Sequence, residues 1–198
     1  MKTLLTFTFL LLLFPFITLN GQIPGEFDPD FGTDGIVTTT DNDYEKSNAI
    51  IVQPDGKILI AVENNAHFSV YRYNTDGSVD SSFNENGYTW TNLGVLDIPL
   101  DIIMQSDNKI VVAGISVPFG DLTEFGIVRY KPDGTKDSSF NDDGRLAFAF
   151  DDDSDYSGAY SIVIQPDGKI VLGGTVWGES GYDFALARLN ADGTFDES

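Results

Sequence analysis

The sequence contains no cysteine, only one histidine (His67), and only two methionines among its 198 residues. Without cysteine the chain forms no disulfides and carries no lipid anchor attached through a cysteine. A single histidine excludes a histidine metal site that recurs along the chain, and any Ser-His-Asp triad would have to use His67. The fold must therefore be held together by burial of a core.

Positive charge is also scarce. The chain has 11 Lys and Arg against 31 Asp and Glu, which gives a formal net charge of −20. Because contact with phosphates needs clustered cations, nucleic acid is not expected as a partner. Disorder would be an alternative for so acidic a chain, but aromatic and β-branched residues recur at regular spacing, which favours a folded protein with a solvated acidic surface.

The N-terminus has the pattern of a secretory signal peptide. Lys2 precedes an apolar run at residues 4–19, and the short polar segment 20–22 follows it. A membrane anchor is the alternative, but the run is shorter than ~20 clean apolar residues and contains Pro15. We therefore predict a signal peptide at residues 1–21, a secreted or cell-surface location, and no membrane span after cleavage.

Two sequence motifs recur along the rest of the chain. The first begins at Gln53, Gln105 and Gln165, and the second begins at Arg72, Arg129 and Arg188. A fixed period of this length is typical of repeat architectures. Residues that recur in every copy are expected to build the copy, so residues that break the pattern are the better candidates for function.

Each repeat contains short apolar or β-branched segments of strand length, which in the first repeat are residues 36–40, 48–53, 57–62 and 67–73. The sequence Pro54-Asp55-Gly56 between two of them predicts a tight hairpin. Four antiparallel strands in a unit of this length are typical of a β-propeller blade.

We therefore predict an all-β fold of β-propeller-type blades, with three four-stranded antiparallel repeats that are part of a larger propeller. The predicted boundaries are a lead-in linker at 22–34 and blades at 35–86, 87–143 and 144–198. Since closed propellers have about four to eight blades, further blades of the same chain are expected. A short protein that assembles through its uncovered sheet faces is the alternative.

Two sets of recurring residues are expected to be structural. Arg72, Arg129 and Arg188 continue the apolar face of a strand, so each needs a carboxylate partner. We expect each arginine to form an ion pair with an aspartate from one of two recurring sets, and we call this pair the structural latch. These sets are Asp55, Asp107 and Asp167 in the hairpins, and Asp80, Asp137 and Asp196 after the strand. Phe31, Phe83 and Phe140 are interpreted as wedges between neighbouring repeats.

The repeated phrases resemble the delta-60 repeat family, β-propeller repeats of unknown function in secreted bacterial proteins. Residues 79–83 and 136–140 match its Asp-x-Ser-Phe phrase, and residues 53–58 and 165–170 match its Gln-Pro-Asp-Gly-Lys-Ile phrase. Asn84 and Asn141 depart from the family, which usually has glycine after the phenylalanine. The resemblance implies a propeller fold and a secreted bacterial setting, and it implies no catalytic residues.

Aromatic residues in the variable loops are the candidate ligand-binding residues. Phe119, Trp177 and Tyr182 lie in loops that differ from copy to copy, where exposed rings can stack on sugars or peptides. The alternative is that they pack over the edges of the blades. Trp90 lies within a strand-like segment and is expected to pack in the core or at an edge.

Calcium is the one cofactor that the sequence suggests. Asp151, Asp153 and Asp155 place carboxylates at alternate positions, as calcium loops do. However, Tyr156 stands where such a loop needs glycine, and no glutamate follows at the closing position. A solvated acidic loop is therefore the alternative.

These observations favour a binding or display scaffold whose ligand is a polysaccharide or a protein, and not an enzyme. Two alternatives remain at this point. The chain could be the N-terminal part of a secreted glycan-active enzyme, or a purely structural surface protein.

Overall fold

The computed structural model describes residues 25–39, 45–119, 122–150, 156–178 and 181–198. These residues form eleven β-strands and no helix, so no helix within them could cross a membrane. The predicted all-β fold is confirmed. The predicted signal peptide at residues 1–21 lies outside the described residues and stays a prediction.

The strands form three antiparallel sheets, which we call blades 1, 2 and 3. Blade 1 contains β1 (Glu45–Val52), β2 (Ile58–Asn64), β3 (His67–Tyr73) and β4 (Tyr88–Thr91). Blade 2 contains β5 (Leu96–Met104), β6 (Ile110–Val117), β7 (Glu124–Tyr130) and β8 (Arg145–Phe148). Blade 3 contains β9 (Ser157–Ile164), β10 (Ile170–Gly178) and β11 (Gly181–Leu189).

The blades group the strands differently from the predicted repeat boundaries. The segment expected to open each later repeat pairs with the strand before it, so β4 pairs with β3 and β8 pairs with β7. The blades therefore span 45–91, 96–148 and 157–189, and the third sheet has three strands rather than four among the described residues. A sequence period fixes the spacing of strands, but it does not say which strand opens a sheet.

The recurring hairpin has the same geometry in all three blades. In blade 1 the amide of Gln53 donates to the carbonyl of Lys57 at 2.8 Å, and the amide of Gly56 donates back to Gln53 at 2.9 Å. Gly56 has a φ of 84°, and Asn108 takes the equivalent left-handed position in blade 2 with a φ of 64°. Glycine and asparagine tolerate this conformation best, which explains the substitution.

The cores lie between neighbouring blades. One face of blade 1 packs against the facing side of blade 2, and the other side of blade 2 packs against blade 3. Phe83 and Phe140, predicted as wedges, are fully buried in these two cores. A Cβ added to Gly134 would come within 2.9 Å of the Phe83 ring, which shows how closely the wedge meets the next blade.

The two ends of the sheets differ in character. At one end, which we call the repeated end, lie the Gln53-type hairpins and the Asp-Gly turns that follow β3, β7 and β11. At the other end, which we call the variable end, lie the β2–β3, β6–β7 and β10–β11 connections and the segments that lead from one blade to the next. The antiparallel order therefore places the repeat-breaking residues together at one end.

A candidate binding surface at the variable end

The three recurring arginines occupy the repeated end. Arg129 is 3 % exposed, its Nε lies 2.8 Å from Asp137 Oδ2, and its Nη2 donates to Ser139 at 3.1 Å. Arg72 makes the same contact to Asp80 at 2.7 Å. Arg188 pairs with Asp196, but its side chain is 41 % exposed. The aspartates are those that follow the strand, not those of the hairpins.

The aspartates of these pairs are held in the charged form. Burial alone would raise the pKa of Asp137, but hydrogen bonds from Ser139 and the charges of Arg129 and Lys109 outweigh it, so this pKa lies below the usual value. Arg129 also stacks on the wedge Phe140 at 4.8 Å from the ring centroid. With every part of the guanidinium engaged by protein groups, Arg129 is occupied in joining blades.

Trp177 and Tyr182 are brought together at the variable end of blade 3. They lie directly opposite each other in the β10–β11 register, with ring centroids 4.8 Å apart and ring planes at 86°. Trp177 is 41 % exposed and Tyr182 is 64 % exposed. Two perpendicular rings, one on each strand of a hairpin, form a corner with a flat aromatic face available to a ligand.

Phe119 lies in a different blade. It follows β6 in the β6–β7 connection and is 94 % exposed. It shares the variable end with Trp177 and Tyr182, but it belongs to the neighbouring sheet. The structure therefore brings two of the three predicted aromatic residues into direct contact and places the third on the next blade.

A second aromatic site was not predicted from the sequence. Trp90 lies on the outer strand β4, is 56 % exposed, and stacks on the ring of His67 at 4.9 Å and 21°. Together with Asn64, Asn65 and Tyr88 they line a cavity of about 180 Å³. Trp90 alternates with the buried Thr89 and Thr91, and this alternation was the signal that could have predicted its exposure.

Polar groups converge beside this second site. Asn64 donates its amide to Glu45 Oε1 at 3.0 Å and to the Tyr71 hydroxyl at 2.7 Å, and Tyr71 donates to Glu45 at 2.9 Å. This network holds Asn64, which is 7 % exposed, in a fixed orientation. Within the described residues, His67 Nδ1 is buried without a hydrogen-bond partner.

The predicted calcium loop lies outside the described residues. Asp151, Asp153 and Asp155 fall in the gap between β8 and β9, so the calcium hypothesis stays a prediction. In the part of the chain that is described, no three His, Cys, Asp or Glu side chains are grouped so that they could hold a metal ion.

Flat, exposed rings at one end of a rigid scaffold are suited to binding. Aromatic rings bury a large apolar area and have a polar edge or tip, so they stack on the apolar faces of ligands that also carry hydroxyls. Asn64 donates both of its amide hydrogens to protein groups, so it fixes the wall of the cavity beside the ring of Trp90. The arrangement offers recognition through stacking.

Comparison with known sequences identifies the repeats. The profile of the family described as "Domain of unknown function (DUF5122) beta-propeller" matches residues 53–83, 105–140 and 165–198, which together are just over half of the chain. The chain belongs to this family. The first two matched segments run from a Gln53-type hairpin to a phenylalanine wedge, and the third runs from the Gln165 hairpin to Ser198.

No curated protein matches the chain. Among solved structures, it is similar to virginiamycin B lyase from Staphylococcus aureus, with 14 % identity over 75 % of this chain and 43 % of the lyase and a TM-score of 0.35. A catalytically inactive variant of that lyase with quinupristin gives 15 % identity over 73 % of this chain and 42 % of the lyase, with a TM-score of 0.37.

A protein of unknown function from Bacteroides caccae is also similar, with 12 % identity over 76 % of this chain and 65 % of the other and a TM-score of 0.34. The chain thus spans less than half of the length of the lyase and about two thirds of the length of the Bacteroides caccae protein. No enzymatic activity is established by these matches.

Proposed function

We propose that this chain is a secreted or cell-surface β-propeller segment whose variable end binds a polysaccharide. The observation that carries the proposal is the corner formed by Trp177 and Tyr182, two exposed rings that interrupt the repeat and contact each other. The recurring arginines, their aspartates and the wedge phenylalanines lie at the opposite end. Aromatic side chains left exposed at the variable end are therefore available for recognition.

The overall charge supports an uncharged ligand. A protein with a net charge of −20 repels polyanions, and it lacks the clustered cations that nucleic acids require. A neutral polysaccharide is not repelled, because its contacts to aromatic rings do not depend on charge. The second site, with Trp90 on the ring of His67, provides another ring for an extended ligand.

The test measures binding to a panel of neutral and acidic polysaccharides and to protein extracts from the cell envelope. We expect the purified protein to bind a neutral polysaccharide and Trp177→Ala to lose at least tenfold in affinity. Phe27→Ala is the matched control, because Phe27 is 70 % exposed but lies in the lead-in rather than in a hairpin of the variable end.

Equal binding by Trp177→Ala and the unmodified protein, with unchanged melting temperatures, would show that the corner is packing and not a recognition site. Binding only to an envelope protein would replace the polysaccharide with a protein ligand. Location is tested separately, by fractionating the producing cells and sequencing the N-terminus of the mature protein.

A further inference from the structure

Tyr156 extends the aromatic corner of blade 3 by one further segment. The register of β9 and β10 ends with Ser157 opposite Val176, and the next pair continues it, because the amide of Trp177 donates to the carbonyl of Tyr156 at 2.7 Å. Tyr156 is 46 % exposed. Residues directly opposite each other on antiparallel strands have their side chains on the same face. Tyr156, Trp177 and Tyr182 therefore lie side by side on three neighbouring segments, and we call them the aromatic row.

The β6–β7 connection of blade 2 holds this row from its other side. Thr123 forms a parallel bridge with Tyr156. The Thr123 hydroxyl accepts the amide of Ser157 at 2.8 Å and donates to the carbonyl of Ser157 at 2.7 Å. The hydroxyl of Ser157 donates to the carbonyl of Thr123 at 2.9 Å, and Ser157 is 3 % exposed. The backbone of Tyr156 is thus fixed between blade 2 on one side and β10 on the other.

The hydroxyl groups of this clamp are not part of the repeat. At the equivalent place between blades 1 and 2 stand Ala66 and Asp97, and the amide of Asp97 donates to the carbonyl of Ala66 at 2.9 Å. Alanine has no hydroxyl, so the side-chain bonds that Thr123 makes cannot form there. The backbone bond therefore joins both pairs of blades, while the hydroxyls of Thr123 and Ser157 are added where the next residue is Tyr156.

The row is exposed because it lies at the ends of the strands. In blade 2, Leu96 and Val117 stand opposite each other at the positions that the row has in blade 3. Ile115, two residues before Val117 on the same face, packs on blade 3, since a Cβ added to Gly158 would lie 2.6 Å from its Cγ1. Leu96 is still 36 % exposed. A blade packed against this side of a sheet thus leaves the position of the row open to a ligand.

We propose that Tyr156 is a third binding residue beside the corner, and that the aromatic row binds a linear polysaccharide along its length. This inference rests on the proposed function and adds the form of the ligand. Neighbouring strands are about 4.8 Å apart, which is close to the length of one sugar unit in an extended chain. Rings on successive segments therefore match a ligand that repeats, with one sugar unit beside each ring.

Thr123 and Ser157 are positioning residues in this account. Ser157 is buried and bonded to Thr123, so it does not reach a ligand on the surface. Both residues act through the backbone of Tyr156, which they hold in line with Trp177. A row that is fixed before the ligand arrives loses less conformational freedom on binding, and this raises its affinity.

The first test is a length series of linear neutral oligosaccharides, from disaccharide to hexasaccharide, of β-1,4-linked glucose, mannose and xylose. Each is titrated into the unmodified protein by calorimetry. Affinity should rise with length until the row is filled and then stay constant. Tyr156→Ala should lower the affinity for the longest oligosaccharides about tenfold and leave the disaccharide affinity unchanged, whereas Trp177→Ala should weaken binding at every length.

Tyr160→Ala is the matched control for this series. Tyr160 is also a tyrosine of blade 3 and is 53 % exposed, but it lies at the bulge of β9, outside the row. Affinity that does not depend on length, or an equal effect of Tyr160→Ala and Tyr156→Ala, overturns the inference. A loss with Trp177→Ala but not with Tyr156→Ala leaves the proposed function standing and overturns this inference alone. Failure of every neutral saccharide to bind overturns both.

The second test concerns the positioning role of Thr123. Thr123→Val removes the hydroxyl that bonds to Ser157, and Thr123→Ser keeps it. We expect the valine variant to lose part of the gain in affinity with length and the serine variant to retain it, with the disaccharide affinity unchanged in both. If Thr123→Val lowers only the melting temperature and leaves the length dependence as it is, Thr123 supports the fold and does not position the row.

Discussion

Arg129 and Ala191 are 62 residues apart in the chain, yet the guanidinium of Arg129 donates a hydrogen bond to the backbone carbonyl of Ala191 in the next blade. The same guanidinium binds Asp137 within its own repeat. Arg72 repeats both contacts, with Asp80 in its own repeat and Pro132 in the next blade. One side chain thus closes the turn of its own blade and fixes the position of the following blade.

The first prediction concerns this pair. Arg129→Ala should lower the free energy of unfolding by about 3–5 kcal/mol, because it leaves the buried carboxylate of Asp137 without its partner. Arg145→Ala is the control, since the Arg145–Asp143 pair has a similar distance, 2.8 Å, but both side chains are about half exposed, and its contact to the carbonyl of Asn92 is exposed as well. Exposed pairs contribute about 0–1 kcal/mol. Urea unfolding measures both, and equal losses would contradict the latch.

The second prediction concerns the wedge. Gly134 and Gly168 have nearly the same φ, 88° and 87°, but a Cβ at Gly134 would meet the Phe83 ring at 2.9 Å, whereas one at Gly168 would meet only Ala191 at 3.7 Å. Both Gly→Ala changes incur backbone strain of about 1–2 kcal/mol. Gly134→Ala should cost roughly 1–3 kcal/mol more because of overpacking. Equal melting temperatures for the two variants would show that the wedge contact is loose.

The third prediction is a pH dependence. The pKa values of Asp80 and Asp137 lie below the usual Asp value in the folded protein, while the unfolded chain has the ordinary value of about 3.9. The stabilisation is therefore fully present above about pH 4 and is lost as the pH falls towards the folded pKa values. Urea midpoints at pH 7, 4 and 3 measure this loss.

Asp137→Asn is the matched variant for the pH experiment. It should be less stable than the unmodified protein at pH 7, and it should lose less stability between pH 4 and pH 3, because one of the carboxylates with a lowered pKa has been removed. If the urea midpoints of the two proteins fall by the same amount between pH 4 and pH 3, Asp137 does not contribute to the loss of stability in acid.

The sequence was sufficient to predict the repeated end of the blades. The Gln53-type hairpin depends on local turn chemistry, because proline and a residue tolerant of the left-handed conformation define the turn within four residues. Phe83 and Phe140 could be recognised as wedges because they recur in the linkers. Such features are encoded in residues close together in the chain, and repetition makes them visible.

Features that depend on distant residues could not be predicted. Two sets of aspartates were equally repeated, and only the structure separates them. Asp55 accepts the amide of Lys57 in its own turn at 3.1 Å, while Asp80 reaches Arg72. The grouping of strands into blades was likewise hidden, because a period has no intrinsic starting point. The alternation of Trp90 with Thr89 and Thr91 is visible in the sequence, but the position of β4 as an outer strand follows only from that grouping.

The repeated end carries the latch and wedge contacts between blades, and we propose that the variable end binds the ligand. The chain contains its own replacement for the test. In blade 1 the Asn65-Ala66 turn joins the paired residues Asn64 and His67, whereas in blade 3 the strands continue past the pair Val176 and Asp183 to the pair Trp177 and Tyr182. Grafting Asn-Ala in place of residues 177–182 removes the corner of Trp177 and Tyr182 and keeps a turn that the repeat already uses.

The decisive experiment measures both the polysaccharide affinity and the melting temperature of this graft. The account predicts that the melting temperature stays within a few degrees of the unmodified protein and that binding falls at least tenfold. Undiminished affinity in a folded graft would contradict the assignment of binding to the variable end, and unfolding of the graft would contradict the separation of the two ends.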